Sequence, residues 1–68
     1  MYLKHSFQCE PGQPRLWISV SIRGRWYLFR ELGERQRAKL PLSRLYAEAL
    51  MRDNDRWKAE RLLVEAFL

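Results

Sequence analysis

The sequence predicts an α+β domain: a three-stranded antiparallel β-meander followed by a C-terminal helical hairpin (β-β-β-α-α). Two patterns carry this expectation. Apolar and polar residues alternate with period two through most of residues 2–31, and apolar residues recur at helical spacing from residue 42 onward. Turn residues separate the runs, which fits a meander of consecutive strands.

The first strand is expected over residues 2–9, where Leu3, His5, Phe7 and Cys9 alternate with Tyr2, Lys4, Ser6 and Gln8. Residues 10–14, Glu-Pro-Gly-Gln-Pro, carry turn chemistry and end it. The second strand, residues 15–23, places Leu16, Ile18, Val20 and Ile22 against Trp17, Ser19, Ser21 and Arg23. A third follows over residues 25–31, after Gly24. A glycine between two β-rich runs reads as a tight hairpin.

The turn fixes which side chains share a face. A two-residue turn gives an inner face of Ile18, Val20, Ile22, Tyr27 and Phe29, expected to pack on Leu45, Tyr46, Leu62 and Leu63. The outer face then carries Trp17, Ser19, Ser21, Arg23, Trp26, Leu28 and Arg30. A three-residue loop would exchange Tyr27 and Phe29 for Trp26 and Leu28, because a one-residue slip flips every side chain. The two-residue turn is the preferred reading.

Gly-Glu-Arg-Gln-Arg-Ala-Lys at 33–39 is polar and without period, so residues 32–40 read as a basic loop. Pro41 suits the first turn of a helix, where its missing N–H costs nothing. The helix is expected over residues 41–52, with Leu42, Leu45, Tyr46, Ala49 and Leu50 facing the core. Arg-Asp-Asn-Asp at 52–55 offers capping and turn residues, and a second helix is expected over 55–67 with Ala59, Leu62, Leu63, Ala66 and Phe67 inward. One long bent helix is the alternative, since no Gly or Pro enforces the break.

At 68 residues the chain is one domain, and a core of this size leaves little net stability without a staple. One cysteine, Cys9, excludes an internal disulfide, and Cys9 with the sole histidine, His5, cannot complete a structural zinc site. Self-association is then the expected support, and the chain reads as a homodimer. The start of the sequence has no apolar core run of a signal peptide, and no stretch has the length of a membrane span. The expectation is a cytoplasmic protein with no membrane association.

Charge is unevenly placed. The net charge is +5, with residues 15–44 carrying eight basic and two acidic side chains, whereas residues 45–68 carry four basic and five acidic. The excess lies on the hairpin and the loop after it. Trp17, Arg23, Arg25, Trp26, Arg30, Arg35 and Arg37 form one candidate binding face on this reading, because aromatics can stack on bases while arginines hold phosphates. The last helix has a second apolar stripe, Trp57, Val64 and Leu68 with Arg61 beside them, opposite its core stripe. A helix apolar on both sides covers something on each, so these four residues are a candidate partner or dimer interface.

Catalysis is not expected. The acidic residues of the helices sit at helical spacing to Arg and Lys, as do Arg61 and Glu65, and read as solvated ion pairs. Each glycine stands alone in a turn, so no phosphate-cradling loop is present, and no cofactor or metal is implied. The sequence therefore predicts a small non-enzymatic regulator or inhibitor acting by protein–protein contact. Phages and mobile elements encode basic single-domain chains of this size to bind a host protein. The alternative is a small basic nucleic-acid-binding regulator using the Trp/Arg face of the hairpin.

Overall fold

The segment expected as a basic loop contains a strand. In Arg37-Ala-Lys-Leu-Pro-Leu42, Ala38, Leu40 and Leu42 alternate with Arg37, Lys39 and Pro41, which is the period of a strand with one face covered. The structure is a computed structural model and describes residues 1–67. The elements are β1 (Tyr2–Ser6), β2 (Leu16–Val20), β3 (Trp26–Glu31), β4 (Arg37–Leu42), α1 (Arg44–Asp53) and α2 (Arg56–Phe67). The four strands form one antiparallel sheet in the order β1-β2-β3-β4, and both helices contribute to a core on one of its faces.

The α+β class and the succession of strands then helices hold, with four strands rather than three. Pro41 explains the missed strand. It belongs to β4, an edge strand where a missing N–H is tolerated, and not to the first turn of a helix. The helix starts three residues later, at Arg44. Ser43 is its N-cap: the Ser43 side chain accepts from the Tyr46 N–H at 3.2 Å.

The hairpin between β2 and β3 has a three-residue turn, which reverses the preferred face assignment. Ser21 N–H donates to the Arg25 carbonyl at 2.8 Å and Gly24 N–H to the Ser21 carbonyl at 2.9 Å, leaving Ile22, Arg23 and Gly24 as the turn. Gly24 has φ +80°, the left-handed position that a three-residue loop supplies with glycine. Ile18 therefore faces Leu28 and Val20 faces Trp26, and these point toward the helices. Tyr27 and Phe29 lie on the other side of the sheet. Ile22, expected in the core, is exposed at the turn.

The core holds Phe7, Leu16, Ile18, Leu28, Ala47, Leu50, Ala59 and Leu63, with Trp26, Ala38, Leu40, Leu42 and Met51 against it. Fully burying a leucine or isoleucine side chain contributes about 1.5 to 3 kcal/mol, so this cluster is the main source of stability. Along α1 the inward positions are Ala47, Leu50 and Met51. The phase differs from the expected one, and Leu45 and Tyr46 are exposed. The break between helices falls where the capping residues stand. Asn54 closes α1 in the left-handed conformation, and the Asp55 carboxylate accepts from the Lys58 N–H at 3.1 Å to start α2. Ala66 and Phe67, expected inward, are exposed.

Two polar ties hold the loop after β1 and strand β3 to α2. Arg56 donates through Nη1 to the Gln8 carbonyl at 3.0 Å, through Nη2 to the Pro14 carbonyl, and to Glu60 Oε1 at 2.8 Å. Arg30 Nε lies 3.5 Å from Glu60 Oε2, so Glu60 sits between two guanidinium groups.

Candidate nucleic-acid interface

The sheet face turned away from the helices is where the strand register gathers aromatic and basic side chains. Trp17 is paired with Ser6 on β1 and Phe29 on β3, and Phe29 is paired with Lys39 on β4. The next row is Leu3, Ser19, Tyr27 and Pro41. At the far end Glu31 is paired with Arg37, and its N–H donates to the Arg15 carbonyl at 2.9 Å. A β-bulge in β1 between Leu3 and His5 interrupts the alternation there. Leu3 lies beside Trp17 and Ser19, whereas His5 meets Phe7 and Asn54 on the helix side.

The aromatic rings of this face pack on one another and under cations. Trp17 and Phe29 are stacked, with centroids 5.4 Å apart and planes 10° from parallel, and Tyr27 leans on Phe29 at 6.2 Å. The Arg15 guanidinium lies 5.3 Å from the Trp17 ring and the Lys39 ammonium 4.2 Å from the Tyr27 ring. Phe29 is only 6 % exposed although no helix covers it. Its neighbours on the same face enclose it. A groove of about 440 Å³ runs over Trp17 and Phe29 and is bordered by Arg15, Glu31, Arg35 and Arg37.

Of the residues expected on a hairpin binding face, Trp17, Arg35 and Arg37 line this groove, and Arg23 and Arg25 stand exposed at the turn. Trp26 and Arg30 do not share the face, and that assignment is corrected. Trp26 is half-buried against the core with the Lys4 ammonium 6.0 Å from its ring, and Arg30 is held toward Glu60. The turn length is the cause. Sequence reasoning missed Arg15, Tyr27, Phe29 and Lys39 as members of the open face. The signal that could have found them is Gly24, which fits the third position of a three-residue turn.

The ion pairs divide the arginines into two groups. Arg30, Arg44, Arg52, Arg56 and Arg61 each lie within 4 Å of a carboxylate on a helix. Arg15, Arg23, Arg25, Arg35 and Arg37 form no such pair among the described residues, and neither do Lys39, Lys4 beside Trp26 and Lys58 on α2. The five unpaired arginines and Lys39 stand on the open face and in the turns at its ends. From residue 11 to residue 30 the chain has no acidic side chain at all.

The second candidate surface lies elsewhere. Trp57 is 68 % exposed on the outer side of α2 with the Arg61 guanidinium 5.5 Å from its ring, and Val64 is exposed farther along. Leu68, expected in the same stripe, lies outside the described residues. Cys9 and His5 are engaged separately: the Cys9 thiol approaches the Gln13 carbonyl at 3.2 Å, and His5 Nε2 lies 2.7 Å from Asn54 Oδ1. Among the described residues no helix is long and apolar enough to cross a membrane. The chain matches no family model, and no curated protein or solved structure is significantly similar to it.

Proposed function

We propose that the chain is a small, non-enzymatic, nucleic-acid-binding regulator of the cytoplasm that takes its ligand across the open face of the sheet. One observation carries this reading: the arginines left without carboxylate partners among the described residues are those of the open face and its turns. Clustered like charges repel one another, and a polyanion relieves that repulsion. Arginine suits the part because its planar fork matches phosphate oxygens. The rings on this face are stacked together and under cations, so they favour a backbone-gripping surface over a platform for several splayed bases. Binding to a labelled duplex oligonucleotide, titrated from 50 to 200 mM salt, tests this. Log K should fall with log salt at a slope of about −0.9 for each phosphate neutralised, which for five or six cations is about −5. A flat salt response defeats the reading.

A second reading is favoured by Trp57. A tryptophan standing largely in solvent with a cation on its ring is typical of a contact residue. A regulatory or inhibitory protein–protein contact, or a homodimer, would be made through Trp57, Arg61, Val64 and Leu68. Sedimentation at micromolar concentration tests the homodimer. A dimer that Val64→Glu dissociates supports it, since the substitution sets an unpaired charge in the contact. A monomer leaves this surface to a foreign protein.

A further inference from the structure

Ile22 is the most exposed large apolar side chain among the described residues, at 84 %. It stands in the three-residue turn between β2 and β3, with Arg23 and Arg25 on either side of Gly24. The turn is a fixed object. Ser21 N–H donates to the Arg25 carbonyl, Gly24 N–H to the Ser21 carbonyl, and Arg25 N–H to the Ser21 hydroxyl at 3.1 Å. Ile22 is β-branched and therefore stiff at χ1, so the apolar tip is presented in few orientations. Both arginines are exposed, and neither has a carboxylate within 4 Å among the described residues. A solvent-exposed isoleucine gains nothing for the fold. Followed by two free arginines at the same turn, it has the make-up of a wedge that meets an anionic, partly apolar target.

We infer that this turn enters the minor groove of duplex DNA, with Ile22 pressed into a base step and Arg23 and Arg25 against the phosphates on either side. The inference rests on the nucleic-acid reading above and adds the form of the ligand and the mode of contact. Apolar side chains inserted from the minor groove partly unstack a step and bend the duplex toward the major groove, and pyrimidine–purine steps yield most readily. Proteins that bind the minor groove use arginine and lysine there, which matches Arg23 and Arg25. The bend then lets the cations farther along the sheet reach phosphates that a straight duplex would hold away. A lipid surface is the weaker fit, because one isoleucine is far less than the anchoring that stable membrane association needs.

The test uses the full chain and a duplex with a central TA step, carrying donor and acceptor dyes at its two ends. Three further probes accompany it: the same strand unpaired, a duplex lacking pyrimidine–purine steps, and vesicles of phosphatidylserine and phosphatidylcholine. The expected result is a rise in energy transfer when the TA duplex is saturated. Ile22→Ser should abolish that rise and weaken binding about tenfold, leaving the salt slope unchanged, since a wedge carries no charge. Arg23→Ala with Arg25→Ala should lower the slope by about 1.8, at about 0.9 per cation. Circular dichroism of both variants should match the parent, because the altered side chains are exposed. A duplex that binds without bending, or an Ile22→Ser variant that bends it as well as the parent, overturns the insertion and leaves the wider reading in place. Tighter binding of the unpaired strand also overturns it. Binding to vesicles that depends on Ile22, with no binding to either nucleic acid, overturns both.

Discussion

The two sides of the sheet treat arginine in opposite ways. On the helix side every arginine has a carboxylate: Arg44 with Glu48, Arg52 with Asp53, Arg61 with Glu65, and Arg56 and Arg30 on the two oxygens of Glu60. On the open side, the cations from Arg15 to Lys39 have ring faces or solvent instead. Exposed ion pairs of the first kind add little stability, commonly 1 kcal/mol or less, but they cancel the field of the charges they contain. The field of this protein therefore comes mostly from the face that no helix covers. Net charge alone conceals this, because it averages a near-neutral half with a strongly basic one.

The comparison is broken most severely through the core, on the helix side. Leu28 is fully buried and faces Ile18 across the strands. Leu28→Ala should lower stability by about 2 to 5 kcal/mol, the range for deleting a buried leucine side chain. The same truncation of Trp17, half-buried on the open face, should cost about 1 kcal/mol through loss of its stacked partner and flanking contacts. Chemical denaturation of both variants measures the difference. Equal losses would mean that the open face is as much a core as the other, and that its aromatics are structural.

Much of this arrangement was legible in the sequence, and the failures have identifiable physical causes. The helical hairpin was readable because Asn54 and Asp55 act through local capping, which depends on few distant contacts. The second stripe of α2 was readable at Trp57 and Val64, because helical phase is fixed by the backbone. The faces of the β2–β3 hairpin were not, since they depend on a turn one residue longer than assumed, and a one-residue change moves every side chain across the sheet. Strand β4 was hidden by Pro41, whose meaning reverses between a helix start and an edge strand. The break in the alternation of β1 is a bulge, which leaves no mark in composition. The basic candidate residues survive better than their faces: Arg23, Arg25, Arg35 and Arg37 are exposed whichever turn is drawn, because turns and edges keep long cations in water.

A finer test of the helix side uses Glu60, which serves two guanidinium groups at once. Arg56 is mostly enclosed, with 13 % of its side chain exposed; its contacts with the Gln8 and Pro14 carbonyls tie α2 to the loop after β1, and its third contact is with Glu60 on the same helix. Glu60→Ala leaves Arg56 with carbonyl partners only and removes the carboxylate 3.5 Å from Arg30 Nε, a buried atom that has no hydrogen-bond partner of its own among the described residues. A loss of about 1.5 to 3 kcal/mol is expected, the range for hydrogen bonds to charged groups in a partly enclosed site. Glu65→Ala removes the partner of Arg61, where both side chains are largely exposed, and should change stability by less than about 0.5 kcal/mol. Thermal melts of the two variants side by side should separate them clearly. Similar shifts would mean that the Glu60 cluster is only another surface pair.

The smallest effect on stability belongs to the open face, and it is the one that distinguishes the two functional readings. Arg35 and Arg37 are exposed, border the groove over Trp17 and Phe29, and have no carboxylate within 4 Å among the described residues. Replacing both with alanine removes like charges from a crowded face, so the loss of their side chains is offset by reduced repulsion. The net change in stability should stay within about 0.5 kcal/mol, as for surface substitutions away from special features. Nucleic-acid binding should respond far more: the slope of log K against log salt should become shallower by about 1.8, at about 0.9 for each lost phosphate contact. The pair Arg44→Ala and Arg61→Ala removes the same formal charge from the helix side, where Glu48 and Glu65 have already neutralised it, and should leave the slope nearly unchanged. Slopes made shallower by the same amount in the two double variants would mean that the ligand responds to total charge without regard to face. An unchanged slope in both, with binding still present, would move the contact to the exposed tryptophan of α2.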